Sequence, residues 1–511
     1  MTSSQEPPIR KSVPDRTSFT ARDSVEDIWK GLGLPPEPLQ ALDLTGSGPG
    51  LPSSFKIADL AQASIGLSGL LAAHIHALRT STPTPKVTVP REHAVIEFKS
   101  ERLYTLAGQP ASTAWGPLSG LHKTSDGHVR VHDGFPHHSA KAKALLGCKP
   151  DADRAAVSAA IAPWRAVDLE TAAFNAGAVI AALRTPAQWD VLPQARAVAD
   201  FPIRLRRIDG EARPVPVPVS VPPPGLPPAL RTAVTDKALR GLRVLELSRV
   251  IAAPLAGKTL AAHGADVLWV TSPTLPDLPP IDREFGRGKR TVQLDLATET
   301  GAHELARLLD DAHVFIQGFR PGSVAARGFS AAALAARRAR SNGSGSGRGI
   351  ICANFSAYGR AGPWADRRGF DSLVQTCSGM NESEALHFGA GEAGRATACQ
   401  VLDHAGGYFL AAGVMAAVCR QAEEGGSWEV DVSLAGVMKY LRSLGQYDGR
   451  SGFDGVPDYQ GPGDVPEEYL ETRETGFGEM RFVRHAACIE GVEVGWDVMV
   501  KPLGEDEKRW L

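Results

Sequence analysis

The sequence has few cysteines, no long apolar run and almost no net charge. Six cysteines occur among 511 residues. None belongs to a CxxC pair, which argues against a disulfide framework or a thiolate zinc site. The formal net charge of −2 selects neither nucleic acid nor anionic lipid. No apolar run reaches the roughly 18 residues of a membrane span. These absences predict a protein without nucleic-acid or membrane partners.

The two ends of the sequence carry no recognisable targeting signal. The first twenty residues are polar and lack the apolar stretch of a secretory signal. The last four residues, KRWL, differ from the SKL peroxisomal address. Together with the scattered cysteines, these features predict a cytoplasmic location, while a mitochondrion or another organelle stays open.

A proline-dense stretch divides the sequence into two halves. Because dense proline disfavours helix and favours extended backbone, residues 214–235 are predicted to be a linker between an N-terminal half, 1–213, and a C-terminal half, 236–511. A second stretch, SNGSGSGRG, is predicted to be a solvated loop.

Short apolar runs alternate with helical patterns in the C-terminal half. This alternation predicts an α/β fold with a doubly wound parallel sheet. Ligands of such sheets bind in the loops beyond the carboxyl ends of the strands. The predicted strands are LRVLELS, ADVLWVT, HVFIQGF and GIICANFSAYG, and the helices between them are APLAGKTLAAHG and GAHELARLLDDA.

The sequence also contains a pattern that occurs twice, once in each half. Asp59 precedes a helix of small residues in the N-terminal half, and Asp403 precedes a similar helix in the C-terminal half. A strand-like segment follows each helix at nearly the same distance. The pattern predicts a partial duplication. The two copies differ because Gly406 and Gly407 of the second copy stand where the first has glutamine and alanine.

Asp403 admits two interpretations. An aspartate at the start of a helix commonly caps its free amides. Alternatively, the carboxylate is a nucleophile toward an activated acyl group, and the amides of Gly406 and Gly407 hold the developing oxyanion. The spacing alone does not decide between these two roles.

Two further groups of residues could bind ligands. Arg320, in GFRPG after a predicted strand, is either part of a turn or a phosphate ligand. Five histidines lie between His122 and His138 on a predicted hairpin. Their alternation points them in different directions, so no metal site is predicted.

From Leu239 to Met438 the sequence resembles the family III CoA-transferases, the CaiB/BaiF family. The N-terminal half resembles a degenerate copy of the later part of that family, as in fused members. The segments that carry the resemblance are LRGLRVLELSRVIAAPLAGKTLAAHGADVLWV, GKRTVQLDLATETGAHELARLLDDAHVFIQGFRPG, FSAYGRAGPWADRRGFDSLVQTCSG and QVLDHAGGYFLAAGVMAAV.

The resemblance implies a Rossmann-like large domain with a smaller α+β domain, and either a homodimer or an intrachain pseudo-dimer. It implies an enzyme that moves coenzyme A from an acyl-CoA to a carboxylic acid, with Asp403 forming an acyl anhydride and then a CoA thioester. No metal is implied. The residues that would contact CoA are Val250, Ile251, Ala252, Leu294, Leu296, Ala297, Gly318, Phe319, Arg320, Arg368 and Asp371.

The sequence departs from the family pattern at several positions. An arginine that many transferases carry a few residues after the PG of GFRPG matches Ala326, and Arg327 is displaced by one position. Phe370 replaces the histidine of the racemase branch, which argues against a racemase. Acyl-CoA lyase, isomerase or racemase chemistry on the same fold and a non-catalytic acyl-CoA-binding protein stay open as alternatives.

Overall fold

The structure is a computed structural model that describes residues 13–208, 224–341 and 349–511. Much of the proline-dense stretch and almost all of the Gly-Ser loop lie outside these ranges. Where the predicted linker enters the described part, Pro228–Thr232 forms a short helix. The expectation that dense proline excludes helix is wrong at this point, because proline is well tolerated in the first turn of a helix.

The described part of the chain contains seventeen strands. They are β1 Leu42–Thr45, β2 Val87–Pro90, β3 Thr105–Leu106, β4 Gln109–Pro110, β5 Gly120–Lys123, β6 His128–Val131, β7 Ile180–Ala182, β8 Arg204–Ile208, β9 Arg243–Leu247, β10 Asp266–Thr271, β11 Lys289–Gln293, β12 Val314–Gln317, β13 Ile351–Ser356, β14 Ser427–Ser433, β15 Leu470–Thr475, β16 Gly478–Val483 and β17 Cys488–Ile489.

Seventeen α-helices connect and cover these strands within the same described ranges. They are α1 Ala21–Gly31, α2 Ile57–Thr80, α3 Arg91–Glu97, α4 Pro136–Leu145, α5 Arg154–Ile161, α6 Ala166–Ala176, α7 Pro186–Asp190, α8 Pro193–Ala197, α9 Pro228–Thr232, α10 Ala252–Ala262, α11 Pro279–Phe285, α12 Glu299–Asp311, α13 Ala331–Ser341, α14 Asp371–Cys377, α15 Met380–Phe388, α16 Val401–Glu424 and α17 Leu434–Ser443. Short 3-10 turns lie at Glu37–Ala41, Ser100–Arg102, Ala325–Arg327, Gly449–Gly452, Pro462–Asp464 and Glu467–Tyr469.

Seven strands form the largest sheet, in the order β11-β10-β9-β12-β13-β14-β8. The first six are parallel, and β8 adds an antiparallel edge. Counted along the chain, the parallel strands have the order 3-2-1-4-5-6, which is typical of doubly wound sheets. The predicted α/β fold with a large parallel sheet is confirmed.

Helices cover both faces of this sheet. On one face α10 and α16 share an apolar core with strand residues such as Val244 and Ile351. On the other face α12 and α13 pack on residues such as Leu245 and Phe315. Successive residues of a strand point to opposite faces, so continuous apolar runs are needed to bury both faces.

Helix α16 is the central helix of the molecule. Every residue from Val401 to Cys419 is buried. Gly406 and Gly407 permit its close packing: a Cβ on Gly407 would lie 2.6 Å from the carbonyl oxygen of Ala252. Among the described helices, α16 alone is long and apolar enough to cross a membrane, and its most apolar window is entirely buried in the protein. A core helix passes the same test.

The pattern that occurs twice in the sequence corresponds to repeated structure. Helices α2 and α16 are both 24 residues long, and Asp59 and Asp403 are the third residue of each. Each helix is followed by a strand and then by a shorter helix, β2 and α3 in the first copy and β14 and α17 in the second. The two long helices pack against each other.

The two halves also exchange strands. Strand β8, from the N-terminal half, pairs antiparallel with β14 at the edge of the large sheet. Strand β17, near the C-terminus, pairs antiparallel with β2 of the N-terminal half. Each copy is therefore completed by a strand from the other half. The division into the halves 1–213 and 236–511 stays a prediction about domains.

Candidate active site

A cavity of about 270 Å³ opens beyond the carboxyl ends of β9, β12 and β13. Its wall includes Val250 after β9, Phe319 after β12 and Ala357 after β13, and Asp403 of α16 also lines it. Strands β9 and β12 are the neighbours at which the strand order reverses, and ligands of doubly wound sheets bind at this position. The fold therefore brings Asp403 to the site where a ligand is expected.

Asp403 presents a carboxylate with no hydrogen-bond partner among the described residues. Its side chain faces the cavity, although the residue is only 8% exposed. Burial raises the pKa of Asp403 well above its usual value, and the negative charges of Asp371 and Glu101 raise the pKa further. An unpartnered and desolvated carboxylate at a cavity is a candidate nucleophile.

Asp371, at the start of α14, caps helix α16. Its Oδ2 atom accepts hydrogen bonds from the amides of Leu402, at 2.7 Å, and Asp403, at 3.1 Å. The capping role considered for Asp403 thus belongs to Asp371. Asp371 is fully buried and lies outside the residues that line the cavity, so its contact with CoA stays a prediction that this geometry does not support. It is a positioning residue for Asp403.

A second buried acid supports the same helix turn. Glu101, from the N-terminal half, contacts His404 through its Oε2 atom, 3.0 Å from Nε2 of the ring. Burial raises the pKa of Glu101, but the hydrogen bond from His404 and its charge lower that pKa to about 2. The ring of Phe98 stacks on the imidazole. The residue beside Asp403 is therefore held by the opposite half of the chain.

The residues predicted to contact CoA divide between two adjoining cavities. Seven of them line the cavity that contains Asp403, and three line a neighbouring cavity of about 260 Å³. The two cavities share wall residues, including Arg249 and Phe319. The first set is Val250, Ile251, Ala252, Gly318, Phe319, Arg320 and Arg368, and the second is Leu294, Leu296 and Ala297.

Arg327 reaches the neighbouring cavity despite its displacement in the sequence. Its NH1 group donates to the carbonyl oxygen of Leu296, and the residue lines the cavity wall. The helical turn at Ala325–Arg327 places the side chain there. A shift of one position in the sequence has therefore not removed a cation from this site.

Gly406 and Gly407 do not line the cavity. Both lie inside α16, where each amide donates to the carbonyl four residues earlier. A Cβ on Gly406 would lie 2.7 Å from the ring of Phe355. The prediction that these glycines hold an oxyanion is wrong, because their amides are used within the helix. Their role is close packing against β13 and α10.

The amino-terminal end of α10, rather than Gly406 and Gly407, borders the cavity. Ile251, Ala252 and Ala253 line the wall, and first-turn amides of a helix have no acceptor within the helix. The preceding residue, Val250, has φ of 73°, a strained value for a β-branched residue. Such strain is often found where the backbone is shaped for a ligand.

The N-terminal half contributes residues that the sequence reading missed. Phe135, His137 and His138 line the cavity of Asp403. His138 is 5% exposed, and its Nδ1 atom has no hydrogen-bond partner among the described residues. Burial and the neighbouring His137 lower the pKa of His138 to about 3. The prediction that these two histidines lie on a hairpin is wrong, because both lie on α4, and their proximity to Asp403 depends on long-range packing.

Known proteins resemble different shares of this chain. A sequence model of CoA-transferase family III matches residues 239–461. The acetyl-coenzyme A transferase nodX of Hypoxylon pulicicidum is 34% identical over 214 residues, which are 42% of this chain and 35% of that protein. An acyl-CoA transferase of Gibberella moniliformis is 26% identical over 76% of this chain and 70% of its own length.

A solved structure also resembles part of the chain. The crystal structure of Rv3272 from M. tuberculosis is 31% identical, with a TM-score of 0.36, over 40% of this chain and 56% of that one. The match thus spans little more than half of Rv3272 and about a third of the Hypoxylon protein. The similarity to CoA-transferase family III is carried by residues 239–461.

Proposed function

We propose that this protein transfers coenzyme A from an acyl-CoA thioester to a carboxylic acid, with Asp403 as the nucleophile. The unpartnered carboxylate of Asp403 at the cavity is the observation that carries the proposal. The match to the family III model and the curated relatives named as CoA- or acyl-CoA transferases support it. The acyl group and the acceptor acid stay open.

The proposed reaction uses one carboxylate twice. An oxygen of Asp403 attacks the thioester carbon, and the C–S bond breaks. CoA departs as the thiolate, and an acyl-aspartyl anhydride is formed. The thiolate then attacks the aspartyl carbonyl, which releases the first acid and forms an aspartyl-CoA thioester. The acceptor carboxylate then attacks the aspartyl-CoA thioester, which releases CoA thiolate and forms a second anhydride. The thiolate attacks the acyl carbonyl of that anhydride, which yields the new acyl-CoA and regenerates Asp403.

The buried position of Asp403 suits this chemistry. Only the ionised form is a nucleophile, so the raised pKa predicts turnover that rises with pH as Asp403 loses its proton. The first-turn amides of Ala252 and Ala253 are the proposed donors to the developing oxyanion, because they border the cavity at a positive helix end.

A covalent adduct tests the proposal directly. The protein is incubated with a panel of acyl-CoA thioesters, and the peptide containing Asp403 is analysed by mass spectrometry. We expect an aspartyl-CoA adduct in the wild type and none in Asp403→Ala, which should still bind CoA and lose roughly 10⁴-fold or more of turnover. Asp59→Ala is the matched control at the corresponding position of α2.

The control variant Asp59→Ala should retain the adduct. The same set of measurements separates the alternative functions. Saturable CoA binding without any adduct or turnover would identify a binding protein, and loss of the substrate's α-proton without CoA exchange would identify isomerase or racemase chemistry. Wild-type turnover by Asp403→Ala would disprove the nucleophile assignment.

A further inference from the structure

Basic side chains from both halves of the chain converge beside the Asp403 cavity. Arg320 and Arg368, from the C-terminal half, line it together with His137 of α4. Lys141 lies one helical turn after His137 on the same helix, and residues four apart share a helix face. The N-terminal half therefore presents one face of α4 to the two arginines.

The position of Gly177 shows how closely Lys141 and Arg368 approach each other. It ends α6 with φ of 69°, and two cationic side chains occupy the space that a side chain at this position would need. A Cβ at this position would lie 2.9 Å from Nζ of Lys141 and 3.0 Å from NH1 of Arg368. Two cationic atoms from opposite halves of the chain thus lie within 3.0 Å of one point.

No carboxylate among the described residues forms an ion pair with Lys141, Arg320 or Arg368. Burial lowers the pKa of Arg368, and the charge of Arg320 lowers it further. Burial also lowers the pKa of His137, with contributions from Arg249 and Lys141. Like charges held together without a counter-ion repel one another, and a bound anion removes this repulsion.

We propose that Lys141 and His137 of the N-terminal half, together with Arg320 and Arg368, form a subsite for a phosphate group of the CoA substrate. Arginine and lysine side chains are the usual partners of phosphate oxygens. The proposal rests on the proposed function for the identity of the ligand. It gives the degenerate half a direct role in substrate binding, in addition to its structural role.

Binding measurements with three ligands test the subsite. Calorimetry compares CoA, pantetheine, which lacks the phosphates of CoA, and inorganic pyrophosphate on the full chain. Lys141→Ala should weaken CoA binding roughly fivefold, the equivalent of about 1 kcal/mol for an exposed charge contact. Lys141→Glu should weaken it further, and both variants should bind pantetheine like the wild type. Added salt should reduce the difference between variants and wild type.

Lys143→Ala is the matched control. Lys143 lies two residues further along α4, on a different face, and its Nζ donates to the carbonyl oxygen of Pro150. Its loss should change the CoA affinity by no more than about twofold. The same pair of variants, Lys141→Ala and Lys143→Ala, keeps helix propensity and charge change equal.

Each outcome decides a separate point. Equal CoA affinity in the wild type and both Lys141 variants would overturn the subsite and leave the proposed function intact. Binding of pyrophosphate that depends on Lys141, without binding of CoA, would support the phosphate subsite and overturn the proposed function. Failure of the wild type to bind either ligand would overturn both.

Discussion

The Oδ2 atom of Asp371 accepts a hydrogen bond of 3.1 Å from the backbone amide of Asp403. One acid thereby fixes the backbone of the other while its charge opposes ionisation of its neighbour. Burial raises the pKa of Asp371 itself, to about 6. The position of Asp403 and its protonation are therefore coupled through a residue that does not reach the cavity.

Replacement of Asp371 by asparagine should separate these two effects. The amide oxygen of Asp371→Asn can still accept from the helix amides, but its negative charge is gone. The pKa of Asp403 should fall, and the rise of kcat/KM with pH should move to lower pH. Asp371→Ala also loses the cap, which costs about 1 kcal/mol of stability. An unchanged pH profile for Asp371→Asn would show that the charge has no influence on Asp403.

Asp403 should make the folded protein less stable at neutral pH. Its pKa is raised in the folded state, so between the unfolded value of about 3.9 and the folded value the folded state binds more protons. Stability therefore falls as the pH rises through this window. Asp403→Asn should raise the melting temperature at pH 7 and leave it unchanged at pH 3. An equal effect at both pH values would contradict the assignment of the shift to ionisation.

Asp59 should be dispensable for turnover. Its Oδ2 atom forms an ion pair of 3.0 Å with NH2 of Arg91, so the carboxylate that corresponds to Asp403 is already neutralised. Gln62, in place of Gly406, donates to the carbonyl oxygens of Thr45 and Val89. Asp59→Ala should retain activity within a few-fold. Stability should fall, because Arg91 loses a partly buried partner.

The measurement is turnover together with thermal unfolding of Asp59→Ala. A variant that stays folded but loses activity would show that the two copies share one site, or that Asp59 is the reacting acid.

Arg320 and Arg368 should contribute to CoA affinity. A charged hydrogen bond to phosphate is worth on the order of 1.5–3 kcal/mol, which corresponds to roughly ten- to a hundredfold in the dissociation constant. Arg320→Ala and Arg368→Ala should each weaken CoA binding within or below this range, with the smaller effect at the more exposed Arg320. Calorimetry with CoA and dephospho-CoA would assign the 3′-phosphate if only CoA loses affinity. Full affinity for CoA in both variants would reduce them to surface residues.

The sequence predicted the large sheet because its strands are local apolar runs. The run LRVLELS became β9, and the run GIICANFSAYG contains β13. The pairing of β8 with β14 was not predictable in this way. The two strands are more than 200 residues apart, and nothing in the local pattern of either specifies its partner. The duplication was visible because it repeats residue types at fixed offsets, but the exchange of strands between the copies was not.

The site shows the same division between local and long-range information. Asp403 stood out because its surroundings are local: one acid before a run of small residues. Its cap, Asp371, lies 32 residues earlier in the chain, so the capping preference pointed to the wrong aspartate. His137 and Lys141 lie on α4 and reach Arg368 only after the two halves pack, and the local sequence carries no sign of that contact.

The exchanged strand β17 also delays the completion of the sheet of β2 during protein synthesis. Strand β2 leaves the ribosome with β17 still about 400 residues away, which is roughly 20–80 s at ordinary elongation rates of 5–20 residues per second. During that interval one edge of β2 lacks its final neighbour, and unpaired edges favour aggregation. We therefore expect the nascent N-terminal half to depend on chaperones, and truncation before Cys488 to reduce the yield of folded protein more than the loss of a short surface tail would.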